Sequence, residues 1–294
     1  MANFVVTTCL LNGLLMLLTI MGNVFVLTAM LTTPSPRSPS TIFLCSLAVS
    51  DLLVGFVVQP IYIGFRLNPG PELEDLSYIL ASLGCSVSLC TMTAISVDRF
   101  MALHFHLRYP DMMTNKRALN ISLSLWFLAC TTSCIRLWNV TYAKLVMALG
   151  IAICLIISTL LYIKIYQIAR KHQLQIQIQQ QPAMQTVIVD HQQNLARWKR
   201  SALNTSIHNI CTILCYFPMF TSLLLLGIKP KLERQGWDLT MNMVFMNSSI
   251  NPILYCWRLR ELRRAVLKII KQLLCKQTEE NLILREENRI SQFS

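Results

Sequence analysis

Apolar residues are gathered into seven long stretches along this chain, and short polar segments separate them. The stretches cover approximately residues 4–31, 39–65, 76–104, 119–136, 145–169, 201–228 and 237–256. Each approaches or exceeds the roughly 20 residues that an α-helix needs to cross a bilayer. The pattern therefore predicts an all-α membrane protein, in which residues 1–256 form a bundle of seven transmembrane helices.

Two further segments have patterns of their own. Beyond the seventh stretch, apolar residues recur at helical spacing between basic ones over residues 257–275, which predicts a short amphipathic helix on the inner membrane surface. Residues 276–294 then form a polar cytoplasmic tail. Residues 171–196 form the longest loop, where glutamine alternates with leucine and isoleucine; this segment is either an extension of the fifth helix or a disordered spacer.

Composition excludes an ordinary soluble domain, because 54% of the residues are hydrophobic and 14% are charged, with a mean hydropathy of +0.49. If the N-terminus is extracellular, 20 of the 26 Lys and Arg residues lie on the cytoplasmic side. Cytoplasmic loops are enriched in these residues, so we expect this orientation, with the C-terminus inside the cell. The net charge of +12 then reflects topology and contact with membrane lipids, and it requires no nucleic-acid partner.

Several polar residues interrupt the apolar stretches, and Asp51 is the most informative of them. A charged side chain within the bilayer is penalised by at least about 2.5 kcal/mol, so Asp51 needs a partner, a proton or an ion. If the spans meet, their oxygen atoms suit a small hard cation such as Na⁺; a hydrogen-bonded network without an ion is the alternative. No other cofactor is expected. The candidate sodium ligands are Asp51, Ser88, Asn247 and Asn251.

Each of the seven stretches carries a short motif. The motifs are Gly22-Asn23-Val24, Leu47-Ala-Val-Ser-Asp51-Leu-Leu, Ser96-Val-Asp98-Arg99-Phe100-Met-Ala102-Leu, Trp126, Tyr162, Cys215-Tyr-Phe-Pro218 and Asn251-Pro252-Ile-Leu-Tyr255. In their order and spacing they resemble the motifs of rhodopsin-like (class A) G-protein-coupled receptors, over nearly the whole chain. The resemblance implies a plasma-membrane receptor that transduces an extracellular ligand into activation of a heterotrimeric G protein and is not itself an enzyme.

The resemblance also implies how such a receptor would switch. Asp98 would hold Arg99 in the inactive state, and Arg99 would engage the G protein after the sixth helix moves outward. Protonation of Asp98 would weaken that hold by removing a charge-assisted hydrogen bond. Prolines in the sixth and seventh helices would kink them and act as hinges. The implied coupling and switch residues are Asp98, Arg99, Tyr162, Tyr216, Pro218, Asn251, Pro252 and Tyr255.

The chain departs from the family pattern at several positions. It has no cysteine at the outer start of the third span or in the short external loop at 137–144, so the usual disulfide is absent. The short loop and the proline-free fifth span resemble melanocortin-type receptors, whereas the run Arg170-Lys-His-Gln173 resembles adenosine-type ones; the branch stays open. Tyr216 replaces a tryptophan and Trp198 replaces an acid, and both changes remove restraints on the inactive state, which predicts basal signalling.

The sequence indicates which classes of ligand are disfavoured more clearly than which ligand is bound. Ala81 stands where aminergic receptors carry an acid, and residues 238–255 contain no lysine for a retinal Schiff base, so a biogenic amine and retinal are disfavoured. The residues expected around the ligand are mostly apolar, which suits a lipid, a small neutral molecule or a peptide side chain, although such residues also serve as ordinary packing. They are Ala81, Ser82, Cys85, Met219, Phe220, Met241 and Phe245.

The alternative function is a seven-helix transporter or channel that uses Asp51 on a conduction path. Transporters carry internal repeats or paired broken helices, and the chain shows no repeat and only one acid expected to be deeply buried, which disfavours this alternative. Two modifications are also predicted. They are N-glycosylation at Asn139, within Asn139-Val-Thr141, and palmitoylation at Cys275, where an unmodified thiol is the alternative.

Overall fold

The computed structural model describes residues 2–32, 38–105, 108–179, 207–224, 230–258 and 262–271. These residues fold into helices joined by short turns, without a β-strand among them. A one-turn helix at Tyr109–Met112 and a 3₁₀ turn at Ile135–Leu137 connect longer elements. The long helices are α1 (Ala2–Thr32), α2 (Pro39–Leu67), α3 (Pro71–His104), α4 (Asn115–Cys134), α5 (Val140–Gln179), α6 (Ile207–Leu224), α7 (Pro230–Arg258) and α8 (residues 262–271).

Polar side chains mark where three of these helices begin, because they accept hydrogen bonds from backbone N–H groups that have no partner within the helix. The Ser38 hydroxyl accepts from the backbone N–H of Thr41 at 3.3 Å at the start of α2. Thr114 does the same at the start of α4. Asn139 Oδ1 accepts from two backbone N–H groups in the first turn of α5, at 2.8 and 3.1 Å. Each of these three helices therefore begins directly after a residue whose side chain can cap it.

The bundle is organised around α3, which packs against α2, α4 and α5, while α7 packs against α1. Two hydrophobic clusters fill the interior. One lies toward the end of the bundle that carries Arg66 and is built around Tyr62, Tyr216 and Phe245. The other lies toward the end that carries Arg99 and includes Phe43, Ile95 and Tyr255. These two ends are called the Arg66 end and the Arg99 end below.

The predicted seven-helix bundle is confirmed. Helices α1 to α6 are each long and apolar enough to cross a membrane, and α7 has the length but carries many polar residues, among which Asp238, Asn247 and Asn251 are buried. The fifth helix continues to Gln179, so residues 171–179 of the expected loop are helical. The helix at 262–271 lies within the segment expected to be amphipathic, with Leu262 and Val266 buried and Leu267 exposed. Trp198, Cys275 and the whole tail at 276–294 lie outside the described residues.

One irregularity in α2 sets the direction of the part of this helix that lies nearest the Arg66 end. A π-helical turn at Val54–Val58 follows Asp51 closely, and Pro60 lies two residues beyond the turn, where it cannot donate to the carbonyl four residues before it. A π turn accommodates an extra residue and rotates every later side chain by about 100° relative to an unbroken α-helix. In the rotated part, Tyr62 and Arg66 are buried in the bundle.

Candidate functional site

The seam between α1 and α7 compensates for a proline inside a membrane helix. Pro252 has no N–H, so the carbonyl of Ser248, one turn earlier, lacks its helical donor. Asn23 Nδ2 donates to that carbonyl at 3.2 Å and to the Thr19 carbonyl at 2.9 Å. Gly22 leaves room for the proline ring, since a Cβ at this position would lie 2.7 Å from Pro252 Cγ. The motifs of the first and seventh spans therefore complement each other directly.

Asp51 is fully buried beside this seam and is linked to α7. Its Oδ2 accepts a hydrogen bond from Asn251 Nδ2 at 2.8 Å. The hydroxyl groups of Ser88 and Ser248 lie beside the carboxylate. Within the described residues, Asp51 Oδ1, Ser88 Oγ and Asn251 Oδ1 have no hydrogen-bond partner. Three buried oxygens from three helices thus retain lone pairs, a donor set that suits a hard cation completed by water.

Asn247, the fourth predicted sodium ligand, is oriented differently. Its Nδ2 donates to the sulfur of Met92 on α3 at 3.8 Å. Thr212 of α6 donates to the same sulfur at 3.4 Å. Met92 therefore joins α3, α6 and α7 just below the Asp51 group. The structure brings together Asp51, Ser88 and Asn251, and it uses the amide nitrogen of Asn247 for this neighbouring contact.

The carboxylate of Asp98 is held by two hydroxyl groups and not by Arg99. It is fully buried, Ser40 Oγ donates to its Oδ2, and Tyr109 OH donates to its Oδ1 at 2.7 Å. No ion pair joins Asp98 to Arg99 in the described part of the chain, and Arg99 Nε has no hydrogen-bond partner there. The expected hold of Asp98 on Arg99 is therefore not made in this structure, because hydroxyl donors from two other segments occupy the carboxylate.

Tyr109 stays a hydrogen-bond donor over the whole physiological range. Burial, together with the neighbouring Asp98 carboxylate that its hydroxyl bonds, raises the pKa of Tyr109 to about 12. The tyrosine sits in the one-turn helix that follows α3, outside the spans. It fixes that segment to the base of α3 and keeps the charge of Asp98 engaged.

If the chain activates a G protein, as the resemblance implies, removal of the Tyr109 hydroxyl should weaken that signalling. In Tyr109→Phe, Asp98 loses one of its two donors, so pairing with the adjacent Arg99 becomes more favourable and the arginine is withdrawn from a partner. We expect G-protein activation to fall by about three- to tenfold at equal surface expression, since a neutral hydrogen bond contributes about 1 kcal/mol. Tyr142→Phe, which changes an exposed tyrosine, is the control. Unchanged activation in Tyr109→Phe would contradict this account.

The two tyrosines expected to act as switches are both buried between helices. Ser96 Oγ of α3 donates to the hydroxyl of Tyr162 on α5 at 3.2 Å. The ring of Tyr255 on α7 lies 5.7 Å, centroid to centroid, from that of His208 on α6. Each tyrosine therefore bridges two helices near the Arg99 end. Their switching roles stay predictions.

Tyr216, which stands where the family pattern has a tryptophan, forms a hydrogen bond between two helices. The Tyr216 side chain is buried, and its hydroxyl donates to the backbone carbonyl of Cys85 on α3 at 3.4 Å. Pro218 follows on α6, where Thr221 Oγ1 donates to its carbonyl at 2.8 Å. The tyrosine thus forms a long hydrogen bond between α3 and α6, which is weaker than an ordinary one. Basal signalling stays a prediction.

Most of the residues expected around a ligand belong to packed interior. Met219, Met241 and Phe245 are essentially inaccessible and pack with Ala81 and Cys85 in the cluster of the Arg66 end, with Phe220 at its edge. A cavity of about 120 Å³ lies instead between α3, α4 and α5. Ser82 and Cys85 are the predicted pocket residues that line it. Further lining residues include Leu89, Thr132, Gly150, Ile151 and Tyr216.

Two buried charges at the Arg66 end were not anticipated. Arg66 Nη2 lies 2.6 Å from Asp238 Oδ2, and Tyr62 OH donates to Asp238 Oδ1 at 2.7 Å. Asp238 is 1% exposed and Asp98 is fully buried, so the expectation that Asp51 is the only deeply buried acid is wrong. The signal in the sequence was an opposite charge near the same end of two spans, but nothing in the sequence indicated that they meet.

A second ionic group lies at this end, near the start of α3, where the disulfide usual in the family is absent. Arg136, in the 3₁₀ turn after α4, donates through Nε to Asp75 at 2.8 Å and lies 3.7 Å from Glu74. Its guanidinium also covers the ring of Tyr78 at 4.2 Å. All cysteines of the described residues are free. The start of α3 is therefore tied to the end of α4 by electrostatic and cation–π contacts.

Further polar residues of α1 were also missed. Asn12 Nδ2 donates to Asn242 Oδ1, and the hydroxyl groups of Thr19 and Ser249 are 2.7 Å apart, both between α1 and α7. Asn12, Thr19 and Asn23 repeat at intervals of seven and four residues, which places them on one face of a helix. That periodicity was available in the sequence as a sign of a polar helix interface.

Comparison with known proteins agrees with this architecture. Residues 22–138 match the family described as 7 transmembrane receptor (rhodopsin family). Among curated proteins, Melanocortin receptor 4 of Danio rerio is 26% identical over 284 residues, which cover 88% of this chain and 81% of that protein. The alignment therefore covers most of this chain.

Proposed function

We propose that this chain is a rhodopsin-like G-protein-coupled receptor, that it sits in the plasma membrane with its N-terminus outside, and that its Arg99 end activates a heterotrimeric G protein. The distribution of Lys and Arg supports this orientation, since most of them belong to the loops and tail of the Arg99 end. The receptor binds an extracellular ligand at the opposite end. A transporter or channel is not favoured, and the chain acts as an exchange factor without chemistry of its own.

The observation that carries this proposal is the state of Asp98 and Arg99. Asp98 is engaged by Ser40 and Tyr109, which leaves the guanidinium of Arg99 without the acid that would hold it. An arginine presents a rigid fork of donors that suits carbonyl and carboxylate oxygens of a protein partner. Arg99 is thus positioned at the cytoplasmic end of the central helix as a contact for the G protein.

The direct test is nucleotide exchange on co-expressed G proteins. We expect cells that express the chain without added ligand to exceed mock-transfected cells, because the α3–α6 contact of Tyr216 is long and Arg99 is not held by Asp98. The measurement is GTPγS binding to membranes with each G-protein class. Exchange at the mock level with every class, at normal surface expression, would contradict basal activity.

The ligand contacts proposed here are the walls of the cavity between α3, α4 and α5. Leu89 and Ile151 make part of its wall apolar, whereas Ser82 and Thr132 supply hydroxyl groups, and no acid lines it. A largely apolar cavity of similar size holds a molecule such as benzene. A neutral group, from a lipid, a small molecule or a peptide side chain, therefore fits better than an amine. The relative reported above is a melanocortin receptor by name, so a melanocortin is one candidate ligand for this chain.

We further propose that Na⁺ binds Asp51, Ser88 and Asn251, with Asn247 contributing through its oxygen or through water. The free oxygen atoms of the first three residues support this donor set. A cation there would neutralise Asp51 and stabilise the arrangement of α2, α3 and α7 in which it is bound.

The sodium proposal predicts a specific loss in Asp51→Asn, which keeps an acceptor for Asn251 but removes the charge. At about ten times its Kd, NaCl should raise the Tm of the purified wild-type receptor by about 3 °C relative to choline chloride. Asp51→Asn should show no difference between the two salts. An equal sodium shift in both proteins would sink the proposal.

Two modifications complete the proposed function. Asn139 is exposed, and a glycan attached to its Nδ2 would leave Oδ1 able to cap α5. Cys275 follows the segment that includes α8, where palmitoylation would add a second membrane anchor beside the basic residues. A shift in mobility after glycosidase treatment and its loss in Asn139→Gln test the first modification, and labelling with an alkyne palmitate analogue tests the second.

A further inference from the structure

The ion pair of Arg66 and Asp238 is buried at the outer end of α2 and α7. The two side chains are 7% and 1% exposed, and the distance from Arg66 Nη2 to Asp238 Oδ2 is 2.6 Å. Desolvation offsets much of the attraction in such a pair, and apolar residues of similar volume hold helices together equally well. Stability alone is therefore a weak reason for two opposite charges at this place.

Arg66 and Asp238 differ in how many of their hydrogen-bonding atoms are already used. Both oxygens of Asp238 are engaged, one by Arg66 and the other by Tyr62. Arg66 Nε, in contrast, is buried and has no hydrogen-bond partner among the described residues. A guanidinium offers five N–H donors and binds a carboxylate best through two parallel hydrogen bonds. The spare capacity thus lies on the cation, and its complement is an anionic group with two oxygens.

The same contacts restrain the outer end of α7. Asp238 is tied to α2 through Arg66 and Tyr62, and the neighbouring Trp237 stacks on Tyr78 of α3, with ring centroids 5.8 Å apart at an angle of 12°. The Tyr62 ring also packs edge to face on the ring of Phe245, about two turns beyond Asp238 on α7, with centroids 5.4 Å apart. Release of Asp238 would therefore remove a main tether between α2 and α7.

We propose that Arg66 is an anion-binding group of this receptor, occupied here by Asp238, and that an external carboxylate which displaces Asp238 frees the outer end of α7 and favours signalling. The signalling part rests on the proposed function and orientation. The anion site itself depends only on Arg66 and on access from the outer face.

Acetate is the probe for the site, and Asp238→Ala is the variant that leaves space for it. This variant leaves Arg66 buried without its counter-ion, so the Tm of the purified receptor should fall by about 3–6 °C. Sodium acetate should recover at least about half of that loss relative to sodium gluconate, whose anion is too large for the space. Arg66→Gln/Asp238→Ala has no cation, and its Tm should not respond to acetate. Sodium is equal in both salts, so the Asp51 group is unaffected.

Measurement of G-protein activation tests whether the contact of Arg66 with Asp238 restrains α7. Asp238→Ala should raise basal G-protein activation about fivefold or more at equal surface expression, and external acetate should leave it raised, because a free carboxylate on Arg66 does not tie α7 to α2. The charge swap Arg66→Asp/Asp238→Arg should return activation toward the wild-type level. Glu74→Gln is the matched control, since this acid lies at the same end, is half exposed and is 3.7 Å from Arg136. We expect no change in Glu74→Gln.

The outcomes separate the two parts. Acetate stabilisation in Asp238→Ala but not in the double variant establishes the anion site; no stabilisation, or an equal effect on both proteins, overturns it. Basal activation in Asp238→Ala no higher than wild type, when the wild type itself signals, overturns the restraint. If acetate stabilises Asp238→Ala while wild type and all variants stay at the mock level, the anion site stands and the proposed G-protein function fails.

Discussion

Replacement of Arg99 by alanine is expected to reduce G-protein activation to the level of mock-transfected cells. The guanidinium is not held by Asp98, and it lies at the base of the helix around which the bundle is organised. Alanine removes every donor that this position offers to a partner and leaves the apolar packing of α3 unchanged. We expect a loss of at least about 100-fold in exchange rate, as for a charged hydrogen-bonded contact truncated on one side. The measurement is GTPγS binding at matched surface expression.

Arg117→Ala is the control for the loss of a basic residue at this end. Arg117 is exposed, and its Nη1 donates to the carbonyls of Asp111 and Met112, both at 2.8 Å. Its removal should change activation by less than about threefold, since exposed contacts contribute little. Retention of full activation in Arg99→Ala would show that this arginine is not the coupling contact and would remove the main support for the proposed mechanism.

A single methyl group at Gly22 is expected to cause the largest loss of stability. A Cβ at Gly22 would lie 2.7 and 2.9 Å from two ring carbons of Pro252. The proline ring is part of the α7 backbone and cannot rotate away, so α1 and α7 must separate and the hydrogen bond from Asn23 to Ser248 must lengthen. Overpacking of this kind costs about 1–3 kcal/mol, which lowers the Tm by about 3–10 °C. Thermal unfolding of purified Gly22→Ala measures it.

Gly13 provides the matched control on the same helix. A Cβ there would meet no atom within 4 Å. Gly13→Ala should therefore be neutral or stabilising by up to about 1 kcal/mol, because alanine has the higher helix propensity. If both variants unfold at the wild-type temperature, the close contact of α1 with α7 is not a determinant of stability. If both are equally destabilised, glycine matters in α1 for a reason other than Pro252.

The positions of the helices followed from the sequence because each depends on local properties. Length and apolar content identify a span without reference to its neighbours, and Ser38, Thr114 and Asn139 mark helix starts through bonds to their own first turns. The end of α5 was open between two alternatives, since alternating glutamine and apolar residues are compatible with both helix and disorder. The structure extends the helix to Gln179.

The contacts of the polar residues around Asp51 could be predicted from the sequence only in part. An acid inside an apolar stretch requires a partner, so a contact with other polar residues of the bundle was foreseeable. Which atoms meet was not. Asn251 bonds Asp51, whereas Asn247, four residues away on the same helix, donates to Met92. The difference depends on how α7 packs against its neighbours, since Pro252 fits closely against Gly22 of α1 and Asn247 lies beside Met92 of α3.

What the sequence by itself determined about this protein is the set of seven spans and the polar residues within them, because hydropathy acts over a few neighbouring residues. Only the tertiary structure decided the partners: Arg66 with Asp238 across 172 positions, and Asp98 with Ser40 and Tyr109 in place of Arg99. Such partners depend on the rotation of each helix about its axis. A π turn in α2 and a proline in α7 set those rotations, and side-chain packing across the whole bundle selects them.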